Sequence, residues 1–150
     1  MEFGIINLIN AGITLIMMIP NLIYAGKGPV ASKPVRGKIA VIEQVGRYAS
    51  LGLMVFPLGV WKFGFSGKFV FIAYLFGNAV LLLAYLTIWL FFFRKETIGR
   101  AMALAILPVG IFVLTGVCLE HWLLVLAAVL FAVGHVYITC QSFKKMSPDS

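Results

Sequence analysis

Residues Phe69 to Phe93 read FVFIAYLFGNAVLLLAYLTIWLFFF and carry no charged side chain from one end to the other. A helix needs about 20 predominantly apolar residues to cross the roughly 30 Å hydrocarbon core of a bilayer. The run is therefore long enough for a complete crossing. It predicts a transmembrane helix over 69–93 and indicates an integral membrane protein.

The rest of the chain has the same character. Hydrophobic residues make up 62% of the 150 residues and charged residues 11%, against roughly 45–50% and 25% in soluble domains. A water-soluble fold could not bury that much apolar surface. Further uncharged runs lie on both sides of 69–93, and a shorter run is interrupted only by Lys62. We predict an all-α integral membrane helical bundle, a single domain of residues 1–150 with five transmembrane helices at about 3–25, 48–65, 69–93, 101–119 and 122–143.

Basic residues set the expected orientation of these helices. Lys and Arg concentrate in cytoplasmic loops, and five crossings place all but two of the basic residues, Lys62 and Lys68, on one side of the membrane. We therefore expect the N-terminus outside and the C-terminus in the cytoplasm. The hydrophilic segment 27–47 is predicted to lie along the cytoplasmic interface.

The net charge of +7 follows from this topology. Basic residues near the cytoplasmic leaflet attract anionic lipid, so we expect the lipid bilayer, with anionic lipid at its cytoplasmic face, as the first partner. A folded basic domain of the kind that binds nucleic acid is not evident in the sequence. No nucleic-acid partner is predicted.

A tight turn is predicted between the last two helices. Only Glu120 and His121 separate the uncharged run that ends at Leu119 from the one that begins at Trp122. One unbroken helix over both runs would be about 65 Å long at 1.5 Å per residue, so the chain must fold back as a hairpin. We expect Glu120 and His121 to be exposed turn residues and Trp122 to be an interfacial anchor.

Polar residues inside the predicted helices form two candidate sites at different depths. Asn7 and Asn10 share one face of the first helix, and Asn78 of the third helix lies at a similar depth in the outer half. Asparagine in a membrane helix forms interhelical hydrogen bonds or contacts a ligand, and the first interpretation is favoured for these three.

The second candidate site lies toward the cytoplasmic side. It centres on His135, on a face with the small residues Ala128 and Ala132 that permits close helix packing. Glu43 and Arg47 reach the same depth if the second helix begins early, and otherwise form an interfacial ion pair. His135 is either a proton relay or a hydrogen-bonded structural residue.

A short internal similarity relates two segments of the chain. Residues 43–51, EQVGRYASL, resemble residues 96–104, ETIGRAMAL. The similarity indicates either a duplicated helical hairpin, as occurs in transporters, or a favourable acid–base pair four residues apart that two helices use independently.

Catalytic and cofactor motifs are absent from the sequence. There is no GxxxxGK[ST], HExxH, GxSxG or paired-aspartate motif, and the acidic residues are few and dispersed. We therefore predict no catalytic residue, no metal ligand and no cofactor.

The C-terminal third carries a resemblance to known proteins. The segments LEHWLL at 119–124 and GHVYIT at 134–139 resemble the ending of an uncharacterised family of small polytopic membrane proteins from Gram-positive bacteria. The resemblance implies a location in the bacterial plasma membrane. It implies no activity, substrate or catalytic residue.

Three hypotheses for function remain open. The first is a non-catalytic accessory or partner-binding membrane subunit, with a membrane protein partner or a homo-oligomer. The alternative is a small transporter or ligand-binding helical bundle that uses the polar sites described above. The second alternative is a lipid-modifying membrane enzyme with His135 as a general base, which would need a second catalytic group within hydrogen-bond reach.

Overall fold

The structure is a computed structural model that describes residues 7–27, 37–56, 58 and 65–146. All regular structure in these residues is helical. The five helices are α1 (Leu8–Gly26), α2 (Lys38–Val55), α3 (Lys68–Arg94), α4 (Ile98–Cys118) and α5 (Trp122–Met146). The predicted start of the first helix before residue 7, residues 28–36 of the predicted interfacial segment, and residues 57 and 59–64 of the predicted second helix lie outside the described part of the chain.

Four of the helices are long and apolar enough to cross a membrane. They are Leu8–Gly26, Lys68–Arg94, Ile98–Cys118 and, within α5, Trp122–Ser142. This confirms an all-α helical membrane bundle. The helix α2 is not one of the four, because it carries charged side chains over its first half.

Helix α2 also differs from its predicted position. We expected an interfacial segment over 27–47 and a helix over 48–65, whereas the structure has one helix from Lys38 to Val55. It begins after Gly37, whose φ of 141° is open to glycine but strained for other residues. The sequence did not indicate the first half of this helix, because Glu43 and Arg47 interrupt the run of uncharged residues. Their charges are instead accommodated by packing against α5.

The helices alternate in direction. The backbone N–H of Asn7 donates to the carbonyl of Val55 at 3.0 Å, so the start of α1 meets the end of α2. The ammonium of Lys27 lies 4.5 Å from the ring centroid of Phe93, so α1 and α3 end together. Helix α2 packs along α5, α5 packs along α4, and α4 packs along α3, while α1 rests on α2 and α3.

Basic residues gather at one end of this bundle, which we call the basic end. Among the described residues this end holds Lys27, Lys38, Arg94, Lys95, Arg100 and Lys144, and the opposite end holds Lys68. The asymmetry that the sequence indicated is therefore present in the folded chain.

The two similar segments do not occupy equivalent places in the fold. Residues 43–51 lie inside α2, and Arg47 binds Glu43 there. Residues 96–104 straddle the start of α4, where Arg100 donates to the carbonyls of Phe91 and Lys95 at 2.9 and 2.8 Å. Helix α4 packs along α5, whereas α2 makes no comparable packing with α3 in the described residues. This arrangement does not support a duplicated hairpin. An acid–base pair four residues apart forms in the first segment only, because Arg100 of the second segment binds backbone carbonyls.

The predicted hairpin between α4 and α5 is confirmed, but one of its residues is not exposed. Glu120 has a positive φ of 55° and allows the His121 N–H to bond the carbonyl of Gly116 at 2.7 Å, which closes the end of α4. His121 is fully buried, and its Nδ1 accepts from the backbone N–H of Leu124 at 3.2 Å. It is therefore the N-cap of α5, a role that the sequence did not reveal because histidine is not a preferred capping residue.

Candidate functional site

The two asparagines at the start of α1 fix its contacts with neighbouring helices. The Asn10 side chain donates from Nδ2 to the carbonyl of Met54 at 2.8 Å and accepts at Oδ1 from the Tyr74 hydroxyl at 2.6 Å. Asn7 accepts the backbone N–H of Asn10 at 3.1 Å and caps α1. The last carbonyls of any helix lack intrahelical partners. These contacts supply partners for the end of α2.

Asn78 joins a different pair of helices. Its Oδ1 accepts from the hydroxyl of Thr115 in α4 at 3.3 Å, and its Nδ2 donates to the carbonyl of Tyr74 at 3.0 Å. Asn7, Asn10 and Asn78 are all buried, and the Nδ2 of Asn7 has no hydrogen-bond partner among the described residues. None of the three lines the cavity described below. The geometry therefore favours interhelical hydrogen bonding over ligand contact for Asn10 and Asn78, whereas the Asn7 side chain caps α1.

The second candidate site is assembled as a charged triad. Glu43 of α2 accepts at Oε1 from the Arg47 guanidinium and from Nδ1 of His135 in α5, the latter at 3.1 Å. The carboxylate is buried, with 6% of the Glu43 side chain exposed, whereas 43% of the Arg47 side chain is exposed. The early start of α2 brings these three residues to one depth. The packing of α2 on α5 therefore joins Glu43, Arg47 and His135 in one hydrogen-bonded group.

Two glycines allow α2 and α5 to approach closely enough to form the triad. A Cβ added to Gly134 would lie 2.6 Å from Cβ and 2.8 Å from Cα of Glu43. A Cβ added to Gly46 would lie 2.5 Å from the backbone nitrogen of Phe131. Each helix therefore presents a glycine to the backbone of the other. The sequence indicated Ala128 and Ala132 as the small residues that permit close packing here, whereas the closest backbone approaches are at Gly46 and Gly134.

A cavity of about 380 Å³ lies beside the triad. Its volume falls within the roughly 300–1,000 Å³ typical of small-molecule sites. Its walls come from all five helices and are mostly apolar. The lining residues are Met17, Met18, Asn21, Leu22, Ala25, Arg47, Tyr48, Leu51, Tyr85, Leu104, Pro108, Phe112, Phe131 and His135.

The mouth of the cavity opens sideways between α1 and α2. Leu22 of α1 and Tyr48 of α2 both line the cavity and are 63% and 68% exposed. Helices α1 and α2 meet near Asn10 and Met54, toward the opposite end, and make far less contact than α2 and α5. An apolar opening on the side of a membrane bundle faces acyl chains. On this side the cavity is therefore open to the surroundings of the bundle.

The polar groups of the cavity lie on three sides of it. Arg47 engages Glu43 through Nη2 only and so retains four of its five N–H donors. The His135 ring stacks on Phe131 with centroids 4.8 Å apart, and its Nε2 has no hydrogen-bond partner within the described residues. Tyr85 accepts from Asn21 Nδ2 at 2.7 Å. The cavity thus combines mostly apolar walls with the guanidinium of Arg47, whose remaining N–H donors no described residue accepts.

The sequence indicated Glu43, Arg47 and His135 as candidate residues that would meet only if the second helix began early, and it did not indicate the rest of the site. Nothing in the sequence pattern showed that Asn21 of α1 would meet Tyr85 of α3. Leu104, Pro108 and Phe112 follow helical spacing in α4, as any core face does. The cavity depends on how loosely α1 packs against α2 along its length, and no local signal encodes that packing.

Comparison with known proteins gives no match. No protein-family model matches the chain, and neither a curated protein nor a solved structure is similar to it.

Proposed function

We propose that this chain is a non-catalytic membrane protein that binds an amphiphilic membrane component, a lipid or lipid-like molecule, in the cavity between α1, α2 and α5. The observation that carries the proposal is the cavity itself. Its walls are apolar, its mouth opens toward the bilayer, and Arg47 and His135 place polar groups at one position in it. An amphiphile has the matching distribution of apolar and polar surface.

The proposal joins two of the expectations drawn from the sequence. An accessory subunit that acts by binding another membrane component and a ligand-binding bundle are the same protein if that component is an amphiphile. Of the residues that the sequence indicated, Arg47 and His135 contact the ligand, and Glu43 positions both. Asn7, Asn10 and Asn78 hold the helices around the site.

The proposed setting is a bacterial plasma membrane, with five membrane-embedded helices, the N-terminus outside and the basic end in the cytoplasm. Support for α2 as the fifth embedded helix comes from its outer face, where Val41, Val45 and Tyr48 are exposed while Glu43 turns toward α5. A helix that exposes apolar residues and buries its acid is suited to lipid. The basic end then lies against anionic cytoplasmic lipid.

Photolabelling tests the binding site directly. The protein is placed in nanodiscs of phosphatidylcholine with a diazirine-bearing fatty acid, irradiated, digested and mapped by mass spectrometry. We expect saturable labelling of cavity residues such as Met18, Leu22 and Leu51, and its loss on addition of unlabelled fatty acid. Labelling spread evenly over all lipid-exposed faces, with no competition, would refute the proposal.

A matched pair of variants separates site binding from general contact with lipid. Ala25 lines the cavity and is exposed at its mouth, so Ala25→Phe fills space without entering the packed core. Ala79 of α3 is also exposed but does not line the cavity. We expect Ala25→Phe to abolish the saturable labelling and Ala79→Phe to leave it unchanged.

A further inference from the structure

The charge balance beside the cavity indicates what kind of headgroup the ligand carries. Glu43 and Arg47 carry opposite charges, so the triad is neutral overall when His135 is neutral. The guanidinium keeps four donors that no described residue accepts. A guanidinium at an apolar site is best matched by an oxygen anion, because carboxylate and phosphate oxygens accept two of its N–H groups at once.

An anion in this position would leave the site with one negative charge in excess. Charges at low dielectric interact strongly, so a compensating proton is favoured. His135 is the group placed to accept it, since its Nδ1 already faces Glu43 and its Nε2 has no partner among the described residues. Protonation turns Nε2 into a second donor for the anion.

The other groups around His135 do not compete for this proton. From α2 it faces Glu43 and Arg47, which form an ion pair, and Tyr48. From α3 and α1 the cavity receives Tyr85 and Asn21, and α4 contributes apolar residues only. The tyrosines and asparagine carry no charge near neutral pH.

We propose, on the basis of the function proposed above, that the cavity selects an amphiphile with an acidic oxygen headgroup, that Arg47 binds this headgroup, and that His135 takes up one proton from water when the ligand binds. The headgroup is a carboxylate, as in a fatty acid, or a phosphate, as in a lipid phosphomonoester. Both share the oxygen anion that Arg47 would recognise.

Competition against the photoreactive fatty acid tests the headgroup. The competitors are oleyl sulfate, which stays ionised at all working pH values, and oleyl alcohol, which has the same chain and no charge. We expect oleyl sulfate to compete at about a tenfold lower mole fraction, the size of a charge-assisted hydrogen-bond contribution. A preference for oleate or for oleyl phosphate in the same assay supports the proposal and identifies the headgroup.

Variants and pH test the two residues separately. Glu43→Gln combined with Arg47→Gln removes both charges without leaving either one unpaired, and the double variant should make oleyl sulfate and oleyl alcohol equivalent. Because ligand binding takes up one proton, the affinity of the native protein for oleyl sulfate should fall as the pH rises, by at most about tenfold per pH unit. His135→Gln should remove this pH dependence.

The failures of this inference and of the proposed function are distinguishable. Equal competition by oleyl sulfate and oleyl alcohol in the native protein overturns the headgroup assignment and leaves the amphiphile site intact. A pH dependence that persists in His135→Gln overturns the assignment of the proton. If neither compound competes, the proposed function itself fails. The comparison of competitors needs no variant and so does not depend on any variant folding.

Discussion

Replacing Gly134 with alanine should destabilise the bundle strongly for a change of one methyl group. The added Cβ would lie 2.6 Å from Cβ, 2.8 Å from Cα and 2.9 Å from the backbone nitrogen of Glu43. Carbon atoms in good contact are about 3.5–4.0 Å apart, so α2 and α5 would have to separate by roughly 1 Å. Backbone atoms cannot rotate away as a flexible side chain could.

The expected magnitude combines three effects. Overpacking of this kind costs about 1–3 kcal/mol, and a weakened Glu43–His135 hydrogen bond adds about 1 kcal/mol. Alanine offsets about 0.5–1 kcal/mol of this, because it favours the helix over glycine. We expect Gly134→Ala to lower the free energy of unfolding by about 2 kcal/mol.

Gly52→Ala is the matched control. Gly52 also lies in a helix, but a Cβ added there meets no atom within 4 Å, so the substitution should stabilise the protein by about 0.5–1 kcal/mol. Reversible unfolding in mixed micelles, titrated with sodium dodecyl sulfate and followed by circular dichroism, measures both. Equal stability of Gly134→Ala and Gly52→Ala would refute the close crossing of α2 and α5.

Three further predictions concern the hydrogen bonds of Asn10 at the end of the bundle opposite the basic end, the turn between α4 and α5, and the orientation of the helices in the membrane. Asn10→Ala leaves two buried partners unpaired, the Met54 carbonyl and the Tyr74 hydroxyl, whereas Tyr74→Phe leaves only the Asn10 Oδ1 unpaired. Each unpaired group costs about 1–3 kcal/mol, so Asn10→Ala should lower the free energy of unfolding by more than Tyr74→Phe, and equal effects in the micelle titration would contradict the network. Burial lowers the pKa of His121, so the unfolded chain is protonated first as the pH falls, and stability should decrease below about pH 6.5. His121→Asn keeps a capping side chain without titrating, and a stability difference from the native protein that is independent of pH would contradict this role. Single cysteines at Ser66 and Lys95, in a background without the two native cysteines, should label from outside and from inside the cell respectively, and the reverse result would overturn the orientation.

The sequence predicted those parts of the fold that depend on local hydrophobicity. The uncharged runs located α1, α3, α4 and α5 within a few residues, because lipid requires long apolar segments with no interruption. The predicted bounds of α2 were wrong because its charged residues, which favoured an interfacial segment over a helix of the bundle, are neutralised by tertiary contacts. Glu43 binds Arg47 in its own helix and His135 in another, and only the first of these contacts can be read from spacing.

The candidate site was predicted in part for the same reason. Polar residues in an apolar segment are conspicuous, so Glu43, Arg47 and His135 were identified as one group. The glycines that bring them together were not, because Gly46 and Gly134 are two of 15 glycines and nothing local distinguishes a glycine at a helix crossing. A cavity is a property of helix tilt and separation, which depends on packing along whole helices.

Native mass spectrometry of the protein released from mild detergent tests the central claim most directly. The account predicts that the native protein and Ala79→Phe each retain one amphiphile per chain, and that fragmentation of this molecule releases an acidic headgroup. Ala25→Phe should retain none. Equal retention in Ala25→Phe and Ala79→Phe, or a native protein with no bound amphiphile, would contradict the account.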